Sequence, residues 1–289
     1  MTSPAAHYDR MFRRLEKARW SLSDIKFDAV DKTLVSPTTL RFLRINCLME
    51  LSSLYAVRMF LRDFREMPDF CQFMSIWYYE EMKHYLVLRE YLKLWDLEPD
   101  VASLGELDTE LSPAPWPPTL ALHYCGELRL GMWYHRWSDE AEEPVLAQIY
   151  RLIGNDEFRH AGCYKEFMEE AASARPELLL EFMQTCKWML FNPTGDKHPT
   201  TMKADRDFDA AVTDRIEGYA EFRVMIQSTI RDDDEAELRR QVLATLSRLA
   251  GSPIATMREL AVHTRRLKEG RARQMAGSRR PVAAEASLI

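Results

Sequence analysis

Residues 78–85 read YYEEMKHY and residues 155–160 read NDEFRH. Each carries Glu-x-x-His, Glu81 with His84 and Glu157 with His160, a spacing just under one helical turn, so both members of each pair share a helix face. The neighbours on those faces are oily. Met74, Trp77, Tyr78, Tyr85 and Leu88 surround Glu81, and Tyr150, Ile153, Gly154, Ala161 and Tyr164 surround Glu157. An acid on such a face heads for the interior, where an unpaired carboxylate costs on the order of several kcal/mol.

Working outward, prolines punctuate the chain. Pro37, Pro68 and Pro144 stand where a helix can begin, because the first helical residue needs no intrahelical N–H bond. They predict helices over 37–64, 68–96 and 144–172, with a further one over 119–139. The stretch at 97–120, LEPDVASLGELDTELSPAPWPPTL, carries five prolines and is read as a long connection. Two tightly joined helix pairs separated by one long link suit an all-α four-helix bundle with a single crossover. Residues 1–36 are read as an N-terminal arm, 37–192 as the bundle with a following helix, and 193–270 as additional packing helices near 207–230, 233–250 and 253–269. Residues 271–289 are read as a basic, mobile tail.

The other two bundle helices complete a pattern. Glu50 in INCLMELSSLY (45–55) and Glu127 in HYCGELRLGMW (123–133) are lone acids on largely apolar faces, 31 residues before Glu81 and 30 before Glu157. The chain thus repeats a unit of lone Glu, turn, then Glu-x-x-His. Closing two such units into one bundle converges four carboxylates and two imidazoles, and anions so crowded need positive charge between them. Two divalent metal ions supply it, and the mixed oxygen and nitrogen donors suit iron or manganese. One Glu from each of two helices and Glu-x-x-His from each of the others is the donor set of di-iron and di-manganese carboxylate bundles. Glu50 and His84 are assigned to one ion, Glu127 and His160 to the other, with Glu81 and Glu157 bridging. Asp156 and Glu80, each just before a bridging Glu, are expected to accept a hydrogen bond from the opposite histidine. His123, one turn before Glu127, is read as a core histidine in preference to a seventh ligand. Trp77, Tyr78, Tyr134 and Tyr164 are read as packing. Gly126, Gly131, Gly154 and Gly162 permit either close helix packing or room beside the metals.

Composition limits the alternatives. A net charge of -6 argues against a general nucleic-acid binder. Five widely spaced cysteines without a C-x-x-C pair suggest neither a disulfide framework nor a zinc site and fit a reducing cytoplasm. The N-terminal residues lack the apolar stretch of a signal peptide, and no run reaches the roughly 18 apolar residues of a membrane helix. No dinucleotide or phosphate-loop motif is present, so no flavin, haem or nucleotide cofactor is expected.

At these residues the chain resembles the acyl-carrier-protein desaturases within the ferritin-like di-iron superfamily. WYYEEMKHYLVLREYLKL (77–94) looks like that family's second metal helix and EEPVLAQIYRLIGNDEFRH (142–160) like its fourth, the likeness covering roughly residues 37–190. The resemblance implies two iron ions, with a mixed manganese and iron pair as the alternative, and an external donor of ferredoxin type. It further implies dioxygen as co-substrate, a hydrophobic or carrier-protein-bound substrate on an acyl or peptidyl carrier, and a homodimer. Leu130 stands where desaturases often carry Thr, Ile153 where arylamine N-oxygenases add a histidine, and Leu88 where ribonucleotide reductase small subunits carry a radical tyrosine. Desaturation, hydroxylation, N-oxygenation and C–C cleavage share one cofactor, so the ligand set leaves the reaction open. A long apolar tunnel favours an acyl chain; a short polar pocket favours a small amine or amino acid. Metal storage and a scaffold without redox activity are the readings from other classes.

Overall fold

The computed structural model describes residues 4–99, 102, 115–191, 219–229 and 231–278, and among them every regular element is helical. An amphipathic α1 (Pro4–Lys17) buries Met11 and Leu15 against the bundle and leads through three 3-10 turns to α2 (Pro37–Leu51). Next come α3 (Ser53–Asp63), α4 (Pro68–Lys93), α5 (Trp116–Glu140) and α6 (Pro144–Ala174). After a 3-10 turn at Pro176–Leu178 follow α7 (Leu179–Phe191), α8 (Tyr219–Thr229), α9 (Asp232–Ala250) and α10 (Met257–Ser278).

The helix starts follow local chemistry. Ser36 Oγ accepts the Thr39 N–H at 3.0 Å ahead of Pro37, and Glu143 accepts the N–H groups of Val145 and Leu146 at 3.2 and 2.7 Å ahead of Pro144. α9 opens with Asp232, Asp233, Asp234 and Glu235, charges that suit a helix N-terminus, and stops at Gly251, whose φ of 60° is left-handed.

The helices α2 and α3 pair with α4, α5 pairs along its length with α6, and α4 packs on α6. α1 lies on α4, while α7 and α9 cover α5. Two apolar clusters fill the bundle. One gathers Phe60, Phe70, Phe73, Tyr164 and Phe167; the other gathers Phe42, Leu88, Tyr91, Tyr134 and Ile153. In sequence, Glu50, Glu81 and Glu157 all fall where a helix passes from one cluster to the other, so the charged residues form the layer between them.

Several expected boundaries move. The helix expected over 37–64 is two helices: Ser52 N–H bonds Met49 O at 3.0 Å and Tyr55 N–H bonds Ser52 O at 3.0 Å, both tight i to i−3 bonds. The hydroxyls of Ser52 and Ser53 also bond the carbonyls of Met49 and Glu50 at 2.6 and 2.7 Å, and such adjacent serines interrupt a helix. α5 begins at Trp116 because Pro117 and Pro118 are tolerated in a first turn. The arm at 1–36 contains a helix, and the tail expected to be mobile from 271 stays helical through Ser278, since Arg, Ala, Gln and Met favour that state. Most of the expected crossover, residues 207–218 of the segment near 207–230, and residues 279–289 lie outside the described residues. No helix among the described residues is long and apolar enough to cross a membrane.

Candidate metal centre

The four helices bring Glu50 from α2, Glu81 and His84 from α4, Glu127 from α5, and Glu157 and His160 from α6 to one place. Glu50, Glu81, His84 and Glu157 form one group, and Glu81, Glu127, Glu157 and His160 a second, with the donor atoms inside each group no more than 4.8 Å apart. Each group could hold a metal ion, and Glu81 and Glu157 belong to both. Glu157 spans the two: its Oε1 is 3.6 Å from His84 Nδ1 and its Oε2 is 3.5 Å from His160 Nδ1. Glu50 Oε2 lies 3.5 Å from His84 Nδ1, and Glu81 Oε1 and Glu127 Oε2 lie 3.3 and 3.8 Å from His160 Nδ1.

The site is dry. Both histidines are fully buried, Glu81, Glu127 and Glu157 are buried, and only Glu50, beside the helix break at Ser52, is partly exposed. Electrostatics follow from that crowding. Burial first, then the charges of Glu81 and Glu127, holds the Glu157 carboxyl well above the usual range. Burial raises Glu81 to about 7. Burial also works on Glu127, but hydrogen bonds with Glu157, His123 and His160 outweigh it and leave that carboxyl well below its ordinary value. Desolvation opposes charge on His160 too, yet the acids around it, Glu127, Glu157, Glu80 and Glu81, hold its pKa well above the usual one.

Each histidine is gripped from behind. His84 Nε2 lies 3.0 Å from Asp156 Oδ2, and His160 Nε2 lies 2.9 Å from Glu80 Oε2, so the acid preceding each shared glutamate meets the histidine of the opposite helix. With Nε2 turned to the acid behind it, Nδ1 of each histidine faces the cluster and is the nitrogen a metal ion would take. Glu81 Oε1, Glu157 Oε2 and both Nδ1 atoms have no hydrogen-bond partner, although all are buried. Converging, unpaired donors of this type are what a pair of divalent ions completes, so the residues fit the group. No family model matches the chain, and no curated protein matches it. The arrangement is therefore read from its own geometry.

Sequence reasoning missed an outer layer. Trp20, in the segment after α1, donates its indole N–H to Asp156 Oδ2 at 2.7 Å. Lys83 Nζ stands 3.6 Å from the same oxygen and 4.3 Å from the Trp20 ring centre, Arg159 pairs with Asp156 Oδ1, and Arg19 is 3.8 Å from Glu80 Oε1. Burial pulls the Lys83 ammonium down to about 8. A signal existed: Lys83 and Arg159 each immediately precede one of the two histidines, so the repeated unit extends to a basic residue. Trp77 and Tyr134, expected only to pack, also touch donors: Trp77 Nε1–H reaches Glu127 Oε1 at 3.2 Å, and the Tyr134 hydroxyl donates to Glu50 while accepting from Asn46 Nδ2 at 2.9 Å. His123 sits between the rings of Phe60 and Tyr164, 4.0 Å from Glu127, and belongs to neither donor group.

Proposed function

We propose that the protein is an oxygen-dependent oxidoreductase built on a pair of divalent metal ions, iron by the resemblance of its two Glu-x-x-His helices, with electrons from a separate ferredoxin-type donor. The observation that carries the reading is the posture of Glu157, one oxygen toward each histidine. Glu50 and His84 would hold one ion, Glu127 and His160 the other, and Glu81 with Glu157 both. When bound, two ferrous ions would supply the paired electrons that reduction of dioxygen requires.

The chain's own residues perform the remaining tasks. Asp156 and Glu80 fix the tautomer and tilt of the histidines, which lowers the reorganisation needed when a metal charge changes. Lys83, Arg159 and Arg19 offset the negative charge of those two acids. Tyr134 and Trp77 orient Glu50 and Glu127 through one hydrogen bond each, and the apolar clusters on both sides exclude water. The test is oxygen uptake: chain reconstituted anaerobically with ferrous iron should consume dioxygen in a single fast turnover. Metal-loaded protein that consumes none would overturn the oxidoreductase reading while leaving the metal site standing.

A further inference from the structure

A second concave feature lies at the end of the bundle, where the start of α2, the turn from α5 to α6, and α8 meet. It is a cavity of about 340 Å³, within the size range of small-molecule sites, and none of the six donor residues lines it. Phe42, Trp137 and Tyr150 supply aromatic walls, and Glu140, Glu142 and Glu143 supply carboxylates. The aromatic wall is rigid. Phe42 and Trp137 meet edge to face with ring centres 4.9 Å apart, and the Trp137 and Tyr150 centres are 5.7 Å apart.

Among the described residues of the lining, the charged side chains are all carboxylates. Two described cations stand at its edge: Arg231, whose guanidinium is 3.4 Å from Glu140 in an exposed pair, and Arg41, which donates to the hydroxyl of the lining residue Thr38 at 3.3 Å, while Arg136 and Arg151 nearby are committed to Asp234 and Asp139. Glu143 is buried and already accepts from Val145, Leu146 and the Tyr91 hydroxyl, so it acts as a fixed negative charge.

We infer that this cavity is a binding site for a small organic ammonium ion with an apolar body. The carboxylates attract the cation, the electron-rich faces of Trp137, Tyr150 and Phe42 stabilise it further, and the aromatic wall covers the apolar part. A long apolar tunnel, the feature that would suit an acyl chain, is not what this lining provides. The site is one residue removed from the donor cluster, because Trp137 and Tyr150 both pack on Tyr134, which donates to Glu50. Binding there does not depend on the metal ions.

Calorimetric titration of the metal-free full chain with phenethylamine tests it, with 2-phenylethanol as the uncharged match in shape and phenylacetate as the anion. The amine should bind once per chain, about tenfold or more tighter than the alcohol, and phenylacetate should not bind. Because Glu140 and Glu142 are exposed, the double variant Glu140→Gln, Glu142→Gln keeps the fold and should weaken the amine about tenfold; Trp137→Leu should remove binding. The inference is overturned if amine and alcohol bind alike, if the amine shows no saturable binding, or if the double variant binds as well as the parent.

Discussion

Asp156 holds His84 Nε2 at 3.0 Å from a neighbouring helix, and itself receives the Trp20 indole at 2.7 Å. This acid is not in either donor group, yet it sets which nitrogen of His84 faces the carboxylates. Asp156→Asn should weaken binding of divalent metal by about 10- to 100-fold with the helix content unchanged. Metal titration monitored beside circular dichroism checks this; an unchanged affinity would show that the contact does not orient His84.

Without metal, the cluster makes stability fall as pH rises. Glu81 titrates near 4.5 when unfolded and about 7 when folded, so its contribution is complete below about 4.5 and is lost as pH rises through about 7. His160, also raised from its ordinary value, acts in the same direction, while Glu127, lowered well below 4.5, contributes steadily above that pH. The thermal midpoint of the metal-free chain should therefore be lower at about pH 8 than at about pH 5. Glu81→Gln should flatten that slope, and adding a divalent ion should reverse it. A midpoint that rises with pH would contradict the assignment.

The glycines divide by environment. A Cβ on Gly154 would stand 2.5 Å from His135 Cδ2 and 3.1 Å from both the Gly131 carbonyl oxygen and Tyr134 Cβ, whereas one on Gly162 would meet nothing within 4 Å. Gly131 and Gly154 are thus explained by the close approach of α5 to α6. Gly154→Ala should cost about 1–3 kcal/mol through overpacking, and Gly162→Ala should gain up to about 1 kcal/mol from helix propensity. Urea unfolding of the two variants measures both; equal effects would contradict the packing described.

The periodic features of the fold were legible because they are local. The Glu-x-x-His pairs, the lone glutamates 30 and 31 residues before them, and the N-terminal prolines each state their case within a few turns of chain. What eluded sequence reading depends on contacts between distant segments. Trp20 reaches Asp156 across 136 residues and Tyr134 reaches Glu50 across 84, and no periodicity encodes such a meeting. The helix break at Ser52 was missed for a different reason: Ser52 and Ser53 lie within an otherwise continuous apolar pattern, and their hydroxyls turn back onto the backbone only once the helix exists. The basic residues before each histidine were visible, but their value became apparent only with Asp156 and Glu80 placed beside them.

The most direct measurement counts ions. Metal-free chain equilibrated anaerobically with excess ferrous iron, freed of unbound metal and analysed for metal and protein, should hold two ions per chain by the geometry of the two donor groups. Glu157→Ala, which takes an oxygen from each group, should fall below that number while remaining folded. A parent chain that retains no ion, or a Glu157→Ala chain that retains as many as the parent, would contradict the claim that this buried layer of acids is a metal centre.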